Sequence, residues 1–197
     1  MEQEKTTKGK ILSVAARLFA LKSYDRVTTR EIAKEVGINA ASIYYYFSSK
    51  DEILMCLYEF YSNYLKSKSP DLNQLLILAE TEPPHEVLMK SEFHFEEDLM
   101  EMLDYIIIVA TRMINADPES ERFIKENLFD PITNILKPLL VRLVELERIK
   151  PFDIDTFLSI LSYYCFSAAA LNKASFGQSI TQYQAAIAYL FSMIEVN

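Results

Sequence analysis

Residues 43–50 read IYYYFSSK: three consecutive tyrosines between two apolar residues, with a lysine shortly after. Successive residues on a helix are rotated by about 100°, so one buried face cannot take all three rings. With Ile43 and Phe47 four apart on one face, Tyr46 lies near enough to that face to be partly buried. Tyr45 points away from it, and Tyr44 lies on the flank. A phenol left in solvent suits a phosphodiester, because its hydroxyl donates to a phosphate oxygen while its ring packs on the sugar. Lys50 adds a cation at the same end. The residues just ahead, Asn39, Ala40, Ala41 and Ser42, are small. The start of such a helix can enter a major groove without steric conflict.

Other chemistry is harder to find. No nucleophile–base pair, metal-ligand box or phosphate-binding glycine loop is visible, and the chain has only two histidines. His85 and His94 lie near Glu92, Glu96 and Glu97, but their spacing fits no ligand motif. An acidic surface helix accounts for the carboxylates, so no metal and no cofactor is expected. Cys56 and Cys165 sit far apart inside apolar helical patterns and read as buried thiols. Met and aromatic residues recur between 89 and 129 in a way that suits an apolar ligand pocket and plain helical core alike. The candidate pocket set is Phe93, Met100, Leu103, Tyr105, Ile107, Met113, Phe123, Phe129 and Tyr163. The tyrosines would orient a ligand through their hydroxyls, or edge the core.

The elements that must position these residues read as helix after helix, with no strand-like alternation and only three glycines. KGKILSVAARLFAL carries one apolar stripe, at 11, 12, 15, 18 and 19. Thr28 followed by Glu31 is a capping box, with Val27 and Ile32 placed for a hydrophobic staple. Gly37 ends that helix, and Asn39 caps a short second one. Two short helices joined by a tight glycine turn form a helix-turn-helix. Ser49 caps a long helix over 50–66, a short apolar helix follows within 67–84, and 86–115 holds one or two more. Asp117-Pro118 and Asp130-Pro131 each read as a fresh helix start, with Pro138 kinking the second. A helix over 154–175 and a last one capped by Thr181 complete the chain. The expected fold is all-α: a helix-turn-helix head over 1–48 and a larger helical body over 49–197.

Charge divides the same way. The chain carries −8 overall, yet residues 1–50 hold nine Lys or Arg against five Asp or Glu, and the rest hold eleven against twenty-three. A basic head on an acidic body suggests that the head meets a polyanion and the body does not. No apolar run approaches the roughly 18–20 residues that cross a bilayer, and the N-terminus lacks the apolar segment of a signal peptide. A soluble cytoplasmic protein with no membrane partner is expected.

The stretch TTREIAKEVGINAASIYYYFSSKDEIL resembles the DNA-binding domain of the TetR family of transcriptional regulators, in order, spacing and residue type over residues 8–57. The resemblance implies that Thr28 and Thr29 anchor a helix start near a phosphate and that Arg30 stands where some members reach a base edge. Asn39, Ala40, Ala41, Ser42 and Tyr44 would lie on the recognition helix, and Tyr45, Tyr46 and Lys50 would hold the backbone. It also implies a homodimer on a near-palindromic DNA operator and a small-molecule effector in the body that releases DNA. The last two helices, rich in small residues at Ser167–Ala170, Ala174, Ala185, Ala186 and Ala188, would form the dimer bundle. The chain departs from the family pattern at Ser23 and Ala41, where glycine is common, and at Tyr46, where histidine is. Ser23 is therefore expected in a strained turn. An all-α carrier or enzyme with an incidental N-terminal hairpin is the alternative, and the sequence does not separate a repressor from an activator.

Overall fold

The computed structural model describes residues 6–91 and 97–171, and these form helices joined by short turns and linkers, with no strand among them. Ten α-helices follow one another: α1 Thr7–Lys22, α2 Thr29–Val36, α3 Ala40–Tyr46, α4 Lys50–Lys68, α5 Leu72–Thr81, α6 Pro84–Lys90, α7 Glu97–Met113, α8 Pro118–Ile124, α9 Asp130–Glu145 and α10 Ile154–Leu171. Phe93, His94 and the expected last helix lie outside the described residues. None of the described helices is long and apolar enough to cross a membrane.

The chain forms two compact units. The first combines the N-terminal stretch up to Ser67 with the segment ending at Ile124, and the second takes the segments beginning at Lys68 and Lys125. In the first unit, Thr6 caps α1 by accepting from the Gly9 N–H at 3.0 Å. The helix then buries Ile11, Ala15, Leu18 and Phe19. Helix α7 packs on α1 and buries Leu103, Ile106, Ile107 and Ala110. The Arg112 guanidinium, in the last turn of α7, donates to the Ala20 carbonyl near the end of α1. A cation there satisfies a carbonyl that the ending helix leaves unpaired.

Helix α8 is fastened to α4 by rings and hydroxyls. Phe123 stacks on Tyr58 (4.3 Å between centroids, 16°) and meets Tyr61 edge-on at 5.2 Å. The Tyr58 and Ser120 hydroxyls share a buried hydrogen bond of 2.8 Å, and Ser120 Oγ donates to the capping carboxylate of Asp117 at 2.6 Å. Burial pushes the Tyr58 phenol up to about 12, only partly offset by the Ser120 bond.

The second unit is a leucine core supplied by α5, α6, α9 and α10, including Leu75, Leu88, Leu136, Leu139, Leu140 and Leu158. Arg142 on α9 pairs with Glu80 on α5 at 2.7 Å. Helix α9 starts at Asp130 with Pro131 in its first turn, as the Asp130-Pro131 pair implies, but Asp130 is not its cap. Lys125–Phe129 form a π turn that runs into α9 with Phe129 already in helical backbone conformation. Pro131 has no N–H to donate, and a widened turn just before it absorbs the missing bond. Helix α9 also continues through Pro138 and ends at Glu145.

Candidate nucleic-acid interface

The local backbone explains why α2 and α3 stand as they do. Thr28 is extended, and its Oγ1 accepts from the Glu31 N–H at 3.2 Å. The Glu31 carboxyl is held below its ordinary range, first by a hydrogen bond from Lys22, then by the Lys22 charge and the Thr28 backbone N–H. Gly37 ends α2 in the left-handed region (φ 80, ψ 30). The following Ile38 N–H reaches back to the Ala33 carbonyl at 3.0 Å. Asn39 then caps α3, its Oδ1 accepting from the Ala41 N–H at 2.9 Å. Ile43 and Phe47 turn inward and are fully buried. That anchoring fixes the rotation of α3 and sends the intervening tyrosines outward.

Tyr45 is 85% exposed and Tyr44 60%, the two largest exposed aromatic surfaces of the head. Tyr46 is half-buried and meets Tyr45 edge-on at 5.1 Å. The Tyr44 hydroxyl lies 3.2 Å from Thr29 Oγ1, so the first turn of α2 and the flank of α3 present their hydroxyls together. Arg30, next along α2, is exposed, as are Thr28, Asn39 and Ala41; Thr29, Ala40 and Ser42 are half-buried. The structure thus joins Thr29 on α2 to Tyr44 on α3, and with their sequence neighbours Thr28, Arg30 and Tyr45 they form an exposed, hydroxyl-bearing rim that carries one cation.

Lys50 stands apart. Its ammonium is turned inward, donating to the carbonyls of Tyr24 and Val27 at 2.8 and 3.2 Å. It also sits 4.1 Å from the centroid of the Tyr24 ring. Several other head cations are likewise engaged: Arg17 with Glu35 at 2.6 Å, Lys22 with Glu31, and Lys8 over the Phe47 ring at 5.3 Å. Lys10, Arg26, Arg30 and Lys34 are exposed. Sequence reasoning missed Tyr24, whose hydroxyl donates to Asp51, because nothing in the spacing between them signals the contact.

The candidate ligand residues are divided between the two units. Met100, Leu103, Tyr105, Ile107, Met113 and Phe123 belong to the first unit, and Phe129 and Tyr163 to the second. Leu103, Ile107 and Phe123 are buried core. Phe129 lies 6.0 Å from the exposed Tyr163 ring. Tyr105 donates to Glu101 at 2.8 Å. Among the described residues no group of three or more His, Cys, Asp or Glu is placed to hold a metal.

This geometry matches a known domain. Residues 11–55 fit the model for bacterial regulatory proteins of the tetR family. This segment is therefore a tetR-type N-terminal domain. YerO of Bacillus subtilis (strain 168), an uncharacterized HTH-type transcriptional regulator, is 32% identical over 114 residues, 58% of this chain and 38% of its own length. IcaR of Staphylococcus aureus (strain Newman), a negative transcriptional regulator of the biofilm operon icaADBC, is 34% identical over 89 residues, 45% of this chain and 44% of its own. The matches thus span about two fifths of the length of these curated relatives. Over the whole chain, the ketosteroid transcriptional regulator KstR2 of Mycobacterium tuberculosis superposes with a TM-score of 0.72 at 20% identity, covering 98% of this chain and 97% of that one. That likeness establishes the all-α tetR-type fold, with a helix-turn-helix head followed by a helical body.

Proposed function

We propose that this chain is a cytoplasmic DNA-binding transcriptional regulator, a repressor that leaves its operator when a small molecule binds the body. The observation that carries the proposal is the outward presentation of Tyr44 and Tyr45 beside Thr29 and Arg30, on a helix whose N-terminal turn is Asn39-Ala40-Ala41-Ser42. The start of α3 enters the major groove, Arg30 faces a base edge or phosphate, and the tyrosine hydroxyls donate to phosphates on either side. Functionally the division falls at 48/49: residues 1–48 meet DNA, and 49–197 carry effector binding and self-association. Two chains pair through their last two helices and set the heads on successive major grooves, roughly 34–36 Å apart. Repression is favoured over activation because IcaR is named a negative regulator. An enzymatic role has no support among the named relatives, all of which are regulators.

The family resemblance and the density of Met and aromatic side chains in the body support an effector site there. It shifts the equilibrium between arrangements of the heads only by its differential affinity for them. The test is duplex binding by the wild type and by Tyr45→Ala. Tyr45 touches little inside the protein, so its loss should leave the thermal midpoint within a degree or two and weaken DNA binding at least several-fold. Equal binding by both proteins would remove α3 from the interface.

A further inference from the structure

We infer that Lys50 acts in DNA binding as a positioning residue, pinning the 24–27 turn to the first turn of α4 and so fixing where α2 and α3 stand on that helix. The inference rests on the DNA-binding proposal and departs from the role that the family resemblance assigns to this lysine. The observation behind it is how fully the ammonium is engaged. An ammonium has three N–H donors. Two of them go to the Tyr24 and Val27 carbonyls, and the charge lies over the Tyr24 ring face at 4.1 Å, a further attraction.

The neighbouring residue makes the pin two-pronged. Asp51 accepts from the Tyr24 hydroxyl. The same ring packs edge-on against Phe19, at 4.9 Å between centroids, and Phe19 is fully buried. The first two residues of α4 therefore hold one aromatic side chain and two carbonyls of the turn between α1 and α2. Val27 is followed directly by the Thr28 cap and by Thr29, whose hydroxyl meets that of Tyr44. A shift of the turn would be passed within three residues to the exposed rim that meets the duplex. Swinging the ammonium away to a phosphate would strip two carbonyls of their charged donor, so the side chain is held in its pinning position at a cost to any such move.

The test uses the full chain and a duplex selected by the wild-type protein from a randomised pool, with affinity measured at several salt concentrations. Lys50→Met should weaken binding by roughly tenfold at every salt concentration, as loss of charged hydrogen bonds within the head predicts. The slope of log affinity against log salt should stay as in the wild type, because no phosphate contact is lost. Tyr24→Phe removes only a hydroxyl and no charge. It should weaken binding several-fold with the same slope, and it keeps the test open if Lys50→Met does not fold. The double variant should lose less than the product of the two single effects, since both act on one pin. Amide exchange should speed up over residues 23–29 in both variants.

A slope shallower by about 0.9 per head in Lys50→Met, with Tyr24→Phe binding like the wild type, would make Lys50 a phosphate contact and overturn the inference. If the wild type binds no duplex, the assignment as a regulator fails separately. Amide exchange then decides the pin itself, and wild-type protection over 23–29 in Lys50→Met would remove it.

Discussion

How steeply the head loses its grip on a duplex as salt rises can be worked out from which cations are free. Of the eight Lys and Arg described within the first fifty residues, four are engaged inside the head: Arg17 with Glu35, Lys22 with Glu31, Lys8 over Phe47, and Lys50 on two carbonyls. Lys10, Arg26, Arg30 and Lys34 remain exposed. Each neutralised phosphate contributes about 0.9 to the slope of log affinity against log salt, so four cations give at most about 3.6 per head and about 7 for two heads. Doubling the salt then weakens a two-headed complex by up to on the order of a hundredfold. Counting every Lys and Arg of residues 1–50 would instead give about 8 per head. Fluorescence anisotropy between about 50 and 200 mM salt measures the slope directly. Arg30→Met should lower it by about 0.9 per head, whereas Arg17→Met should leave it in place. A two-headed slope well above 7 would mean that the internal pairs open to reach phosphate, and a slope near zero would mean that the head does not grip the backbone at all.

Two further outcomes concern stability. Ser23 holds φ 75 and ψ 142, a region that costs a side-chain-bearing residue of order 1–3 kcal/mol, while glycine gives back about 0.5–1 kcal/mol in unfolded-state freedom. Ser23→Gly should therefore stabilise by about 1 kcal/mol and raise the thermal midpoint by about 2–4 °C. Ser23→Ala, which keeps the Cβ, should change little, and a lower midpoint for the glycine variant would contradict the strain. The Tyr58 phenol is pushed up to about 12 by burial, so folding favours its neutral form. That contribution is complete below the unfolded value near 10 and is lost as pH rises through 12. Tyr24 and Tyr61 shift in the same direction, so Tyr58→Phe should soften, not abolish, the alkaline fall in unfolding midpoint.

What was legible in the sequence is what short-range backbone rules control. Thr28, Gly37 and Asn39 act within three or four residues, and each takes the cap or turn its type implies. The exposure of Tyr44 and Tyr45 follows from helical rotation once Ile43 and Phe47 are set inward. The strain at Ser23 was readable because glycine is common in the family there. Lys50 was not readable. Its partners are backbone carbonyls 26 and 23 residues earlier, and carbonyls carry no sequence signature. The pairing of Arg17 with Glu35 is hidden for the same reason, so a count of charges overstates the free cationic surface. Phe123 shows why the body was ambiguous. A ring at helical spacing serves a pocket or a core equally well, and here it is stacked on Tyr58.

The salt titration reads binding only if the head stays folded across it, and the magnitudes say that it does. Arg17–Glu35 and Lys22–Glu31 join α1 to α2, but their side chains are 30–53% exposed. Such pairs contribute about 0.2–1 kcal/mol each and weaken with salt. Ile11, Phe19, Ile32, Ile43 and Phe47 are at most 1% exposed, and each buried side chain of that size contributes about 1.5–3 kcal/mol without depending on ion pairing. The apolar term outweighs the ionic one several-fold. Salt that abolishes duplex binding should therefore leave the helical signal of the head intact, so the two curves, recorded together, separate loss of contact from loss of structure.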